Sequence, residues 1–435
     1  MKPGNAVFCI AAIATAGLLL TACSGGGGGK KPPANMAPIA SFTVTPDSGI
    51  LPLAVSLDAN ASHDMDGTIA SFQWDFGDGT TATGAIVQHT YVESARFQVR
   101  LSVTDDDGAV GSAVRAVIPM SPVAAGSYSV TEIPKLAGPF IEPRSINNKG
   151  EVVGYVDVDA NQVEHAFLYS AGVTRDLGAL DGTRSGAWDV NDSTEVTGTY
   201  DNALGQERCF LYRIGSMQPL GTLGGSFCNA KAINAAGTVV GQSSNLNMDN
   251  LCFIYSGGQM STMPTLGGPY CDANAISDEG HVAGFSITAA GEWHAYVFRN
   301  GTMTDIGGSI AGNSIRVDGI NDDDDVVGMW VYGGYAGFTG FLYRAGVMGP
   351  LADGYTEPVD INNAGVVVGS AAFGNNGHAF IWDATNGLQD LNDLIDPGLG
   401  LTLQVVQGIS DIGQITGHGY RADFTPVAIV LTPVW

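Results

Sequence analysis

Four of the six cysteines sit at a common spacing: Cys209 and Cys252 are 43 residues apart, and so are Cys228 and Cys271. This doubled pattern favours the disulfides Cys209–Cys228 and Cys252–Cys271 over the two other connectivities, and such bonds belong to an oxidising compartment. Zinc is the alternative chemistry for four thiols, weakened by the lack of any Cys-x-x-Cys pair. Three of the seven histidines, His165, His294 and His378, share one sequence context but are widely separated in the chain. They read as structural, because a metal site or proton relay needs convergent groups. The run Asp322-Asp323-Asp324-Asp325 reads as a solvated turn rather than a calcium site. Trp188, Tyr200, Phe227, Tyr270, Trp293, Trp330 and Tyr355 lie near strand ends, where aromatic faces stack on sugars or fill protein hot spots. Core packing uses the same residue types, so they define no site. Neither a Gly-x-Ser-x-Gly elbow, a His-Glu-x-x-His pair nor a phosphate-binding glycine loop is present. No catalytic residue is assigned, and a non-enzymatic role is favoured.

The elements that position these side chains follow from composition. Glycine is 61 of 435 residues and charged residues only 14%, while 45% of the chain is hydrophobic. Many glycines with Val, Ile and Thr mean short strands and tight turns, which makes an all-β chain and excludes a long-helix protein. The net charge of −25 repels nucleic acid and anionic headgroups, so no nucleic-acid partner is expected. It suits a secreted surface.

From residue 127 to 435 the chain repeats itself. The run Asn147-Asn148-Lys149-Gly150-Glu151-Val152-Val153-Gly154 recurs in altered form from Asn191, Asn234, Ser277, Asn321, Asn362 and Ser410. An Ile or Val always precedes the first residue of the run, marking a buried strand. The last glycine is present in every copy, from Gly154 to Gly417, marking close backbone packing. Thr194 and Asp324 replace the turn glycine in two copies, which predicts strained hairpins there. Four short strands per unit of about 44 residues is the size of one propeller blade. Tyr128–Ile133 corresponds to a fourth strand and the chain ends after three, so the two ends together make a seventh blade. A seven-bladed β-propeller is the expected fold, with an open solenoid as the alternative.

Three stretches resemble known families. Lys2, the apolar stretch Ala6–Ala22 and Leu20-Thr21-Ala22-Cys23 resemble the signal and lipobox of bacterial lipoproteins. The resemblance implies a signal peptide over 1–22, lipidation (palmitate included) at Cys23 and a Gly/Pro-rich tether over 23–36. Ser24 after the cysteine implies sorting to the outer membrane, whose lipid is then a partner. Residues 37–120 carry Trp74-Asp75-Phe76-Gly77-Asp78-Gly79, His89-Thr90-Tyr91 and Val103-Thr104-Asp105-Asp106-Asp107-Gly108, and resemble the PKD domain. That implies an immunoglobulin-like β-sandwich serving as spacer or binding module. Some bacterial members bind calcium through acidic turns, which here points to Asp64, Asp66 and Asp105; turn-capping aspartates are the simpler reading. His165-Ala166-Phe167, His294-Ala295-Tyr296 and His378-Ala379-Phe380 resemble the extracellular HAF repeat, a family without an established activity.

These readings combine into a lipid-anchored, outer-membrane protein, facing the periplasm or the cell surface, that presents a propeller to an extracellular glycan or protein ligand. A carbohydrate-active enzyme, lyase or glycosidase, with a central-channel site is one alternative; a periplasmic assembly or scaffold protein is another.

Overall fold

The computed structural model describes residues 35–121, 124–159, 161–308, 314–332, 337–374 and 376–434. The expected signal segment, most of the tether and Cys23 lie outside the described residues.

The N-terminal unit is a two-sheet sandwich. Thr43–Thr45, Leu53–Asp58 and Ile86–Tyr91 form one sheet. Ser48–Ile50, Val110–Met120, Phe97–Asp105, Ile69–Asp75 and Thr81–Thr83 form the other, in that order. Alternation along the strands puts Val55, Leu57, Val99, Leu101 and Val103 in a common core with Phe42, Trp74, Phe76 and Tyr91. The polar tips of the large rings are satisfied: Trp74 Nε1 donates to Gly84 O at 2.8 Å, and Tyr91 OH donates to Phe76 O at 2.9 Å.

Beyond it stand seven four-stranded antiparallel sheets. The first strands are Ile141–Ile146, Ser185–Val190, Gly224–Ile233, Gly267–Ile276, Ser314–Ile320, Thr356–Ile361 and Leu401–Ile409. Each touches the first strand of the next sheet, and the seventh touches the first, so the sheets are blades around a closed channel. The seventh blade takes its outer strand from the other end of the repeat region: Ser127–Glu132 pairs with Pro426–Val434, Val130 opposite Leu431. The inner edges of the blades are short and lie protected round the channel.

The invariant glycine explains how each blade is built. In every blade the first strand carries a bulge opposite it, skipping one residue between Pro143 and Ser145, Ala187 and Asp189, and so on round the ring. A Cβ on Gly154 would lie 1.9 Å from Glu142 O, and on Gly328 2.1 Å from Arg316 O. The same glycine makes room for the aromatic ring of the third strand: Phe167, Phe210, Phe253, Tyr296, Phe341 and Phe380 are all fully buried. Burial of each such ring contributes roughly 1.5–3 kcal/mol.

Hairpin turns between first and second strands join the blades. Asn191 Oδ1 accepts from Ser193 N and Glu195 N, fixing its own turn, while its Nδ2 donates to Asn234 O of the next blade at 2.9 Å. Asn147, Asn234, Asn321 and Asn362 make the same crossing to their neighbours. The turn residue after them has positive φ in every blade, including Thr194 (φ 62°) and Asp324 (φ 63°), where no glycine relieves it. Two disulfides add covalent links: Cys209–Cys228 joins blade 2 to blade 3, and Cys252–Cys271 joins blade 3 to blade 4.

Candidate functional site

The channel has two different mouths. On the hairpin side, the residue after each conserved Asn or Ser faces inward: Asn148, Asp192, Ala235, Asp278, Asp322, Asn363 and Asp411. Their backbone N–H groups donate round the ring to the next blade's side chain, from Asn148 to Asp192 (2.9 Å) through to Asp411 to Asn148 (2.8 Å). The one missing link falls at Ala235, which has no acceptor to offer. Beside that gap the sandwich reaches in: Arg96 Nη1 donates to Asp192 Oδ2 at 2.7 Å. Burial pushes the carboxyls of Asp278, Asp322 and Asp411 above the usual range. This mouth is therefore acidic, internally bonded and tied at Asp192 to the chain's own first domain.

The opposite mouth is built by the bulges. The residues expelled from the seven first strands are Arg144, Trp188, Lys231, Asn274, Asp318, Val359 and Gln407, and all seven line one cavity of about 160 Å³. A bulge turns an extra side chain out of the ladder, so the invariant glycine positions a ring whose members all differ. Lys231 Nζ sits 2.6 Å from Asp272 and 3.1 Å from Asn274 Oδ1. Arg316 bridges Asp318 (2.7 Å) and Glu357 (3.0 Å). Burial raises the Asp318 carboxyl to about 6 against the pull of Arg316. Arg144 lies over two rings, 5.4 Å from the Tyr155 centroid and 5.1 Å from that of Trp188. His418 lies near Glu142, and burial holds its imidazole below the usual range.

Deeper in the channel Asp189 and Asp360 cap strand ends. Asp189 accepts from Ser145 Oγ, Val190 N and Ile233 N, and Asp360 from Ile361 N and Ile409 N. Burial raises both, Asp360 to about 7.

The residues singled out in the sequence are distributed unevenly over this frame. Of the seven aromatics, Trp188 and Tyr200 lie together on the bulge side. Tyr270 and Trp293 form a separate cluster with Phe285, and Trp330 is buried against Phe341. His165, His294 and His378 each bond an aspartate of the same blade: Asp176 at 2.9 Å, Asp305 at 2.7 Å and Asp390 at 2.6 Å. The Asp322–Asp325 run is not the solvated turn the sequence suggests. Asp322 is in the acidic ring, Asp324 pairs with His281 and Arg299, and buried Asp325 pairs with Arg344. Tyr155, Arg144 and Lys231 had no sequence signal beyond lying in columns where the repeats disagree.

In the sandwich, Asp66 accepts from Met36 N, and Asp105 accepts from Asn35 Nδ2, Asp107 N and Ala109 N. Asp64 differs: both its carboxylate oxygens are buried without a hydrogen-bond partner, facing the same space at Gly67 as Asp106 Oδ1. Among the described residues no three His, Cys, Asp or Glu side chains form a metal-holding group.

Comparison with known proteins divides at the same boundary as the fold. Residues 35–119 match the PKD domain model, and this unit is a PKD domain. The metalloprotease PrtV of Vibrio cholerae is 40% identical over 74 residues, which are 17% of this chain and 8% of that protein's length. The PKD1 domain of Vibrio anguillarum Epp is 35% identical, covering 20% of this chain and 96% of that structure with a TM-score of 0.18. Over the propeller, TolB from Acinetobacter baumannii is 14% identical, covering 68% of this chain and 76% of that one with a TM-score of 0.36. The chain thus spans a small fraction of the curated relatives it matches.

Proposed function

We propose that this is a lipid-anchored, non-enzymatic envelope protein whose propeller binds an extracellular glycan or protein ligand at the bulge-side mouth. One observation carries the reading: seven chemically different side chains converge on one cavity, while the opposite mouth is an internally bonded ring contacted by Arg96. The lipobox-like Cys23, the Gly/Pro tether and the PKD spacer support a display role, with the HAF-like repeats forming the displayed body. Of the calcium ligands expected at the sandwich, Asp64, Asp66 and Asp105, only Asp64 has oxygens without a hydrogen-bond partner; that supports an ion there, with Asp106 Oδ1 facing the same space.

The test is retention of residues 35–435 on an array of glycans and matrix proteins, with calcium and with chelator. Retention that is lost in Lys231→Ala supports the reading, and calcium-dependent thermal stabilisation lost in Asp64→Asn supports the ion. An enzymatic reading draws on one feature, the Asp318 carboxyl raised to about 6 in the channel. New reducing ends or unsaturated products from a bound glycan would establish it in place of the binding role.

A further inference from the structure

The bulge-side mouth does not end at the channel. Trp188 lines the ring cavity, a second cavity of about 230 Å³ with Arg144, Asn229 and Lys231, and a third of about 340 Å³ running outward between blades 1 and 2. The third is bounded by Tyr155, Tyr200 and Glu207 among others. Together they make one cleft with an indole at its centre. Trp188 Nε1 is held by Thr199 Oγ1 at 3.3 Å, and Arg144 packs on the ring at 5.1 Å, so the indole is oriented before any ligand arrives.

Polar atoms in this cleft are left without partners. Asn229 Oδ1 and Glu207 Oε1 are buried acceptors with nothing donating to them, and Arg144 Nε is a buried donor with nothing accepting. Groups of this kind cost free energy until a partner satisfies them. A ligand that supplies donors and acceptors alternately at short spacing, on a rigid frame with an apolar face for the indole, satisfies all three. An anionic chain brings no donors from its carboxylates and meets Glu207, Glu164 and Asp201. A polycation leaves Arg144 unmet.

We infer that the cleft centred on Trp188 is a subsite for a neutral, hydroxyl-rich saccharide chain of more than one sugar unit. The inference rests on the ligand-binding reading and narrows it to one chemistry. Hydroxyls of the chain donate to Asn229 and Glu207 and accept from Arg144, while a sugar's C–H face stacks on Trp188. Length matters because the polar groups are divided between two cavities joined at the indole.

Calorimetry tests this on residues 35–435 with neutral hexasaccharides (β-1,4-glucan, β-1,3-glucan, α-1,4-glucan and β-1,4-xylan), a galacturonate hexamer and a glucosamine hexamer. The expected result is binding of at least one neutral hexamer, at least about tenfold tighter than its disaccharide. Trp188→Ala should weaken that binding at least about tenfold, with Trp188→Tyr restoring part of it. Near-ultraviolet circular dichroism of both variants shows whether the fold is intact. Glu207→Gln, which keeps one acceptor oxygen, should weaken binding less than Glu207→Ala. Tightest binding of either charged hexamer, indifference to Trp188→Ala, or no saccharide bound at all overturns the inference. A matrix protein retained through Lys231 when no saccharide binds leaves the general binding role standing; loss of every ligand removes both.

Discussion

Replacing Asn191 by alanine should cost about 2–4 kcal/mol, and replacing it by serine about half as much. Asn191 is only 4% exposed and makes four hydrogen bonds: from Ser193 N (3.0 Å) and Glu195 N (2.9 Å), and to Glu195 Oε2 (3.0 Å) and Asn234 O (2.9 Å). Alanine leaves two backbone N–H groups and one carbonyl without these partners. At about 1 kcal/mol net for each bond, more where the orphan stays dry, the sum falls in the stated range. The molecule contains its own control. Blades 4 and 7 use serine at this position, and each serine retains the equivalent of the Glu195 N bond, from His281 N at 3.3 Å and from Gln414 N at 3.1 Å. Guanidinium unfolding followed by tryptophan fluorescence reads the propeller well, since five of the six tryptophans lie beyond residue 127. The midpoint should fall in the order wild type, Asn191→Ser, Asn191→Ala at constant slope. Equal midpoints for the two variants, or losses below about 0.5 kcal/mol, would refute the claim that this asparagine ties one blade to the next.

Two further outcomes follow from strain and charge. Ile214 is fully exposed at φ 52° in the two-residue turn before Gly215, a conformation a β-branched residue resists; Ile214→Asn should stabilise the chain by about 1 kcal/mol in the same unfolding assay. Asp360 titrates near 7 when folded and near 3.8 when unfolded, so the native state binds the extra proton between these values and wild-type stability falls as pH rises through that window. Asp360→Asn removes this dependence. Relative to wild type it should therefore fare better at pH 8 than at pH 4, and a difference in melting temperature that is the same at both values would contradict the assignment.

What the sequence made visible was what the repeats share. Seven copies of a strand–turn–strand signature, with a lone fourth strand at Tyr128, were enough to lay out the blades and their closure. The PKD strands were equally plain, because Trp74, Phe76 and the glycine turns leave few alternatives. The bulge-side mouth stayed hidden for the converse reason. Arg144, Trp188, Lys231, Asn274, Asp318, Val359 and Gln407 occupy one column, but comparing repeats rewards agreement, and this column has none. The bulge that unites them exists only in the pairing of two strands. The asparagine column carries no such signal for half of its role. Its second bond goes to a residue 41 to 48 positions further on, a neighbour only once the ring is closed. The acidic run at Asp322–Asp325 misled because composition suggests solvent, whereas His281 arrives from the neighbouring blade's turn and Arg299 and Arg344 from other strands.

The strand that closes the ring also decides where mechanical force enters. Any tension carried along the chain from the N-terminal side passes through residues 121–126 and is delivered to Ser127–Glu132, the outermost strand of blade 7. Six residue pairs hold that strand to Pro426–Val434. Ahead of it, Ala125 is buried with residues of blades 6 and 7, as is Tyr128 within the strand, and Ala124 N is bonded to Asp383 Oδ2 at 3.1 Å. A pull must extract Ala125 and break the Ala124 bond before it loads the β-ladder, where Tyr128 adds its own burial. If the ladder gave way, the ring would open between blades 7 and 1, leaving blades 2 to 4 stapled by their disulfides. The sulfur bonds thus lie away from the seam and hold only one side of the Trp188 cleft, where blade 2 (Trp188, Glu207) meets blade 3 (Asn229, Lys231). The blade 1 wall, with Arg144 and Tyr155, borders the seam and carries no such link, so a molecule strained to the point of opening would lose that wall first.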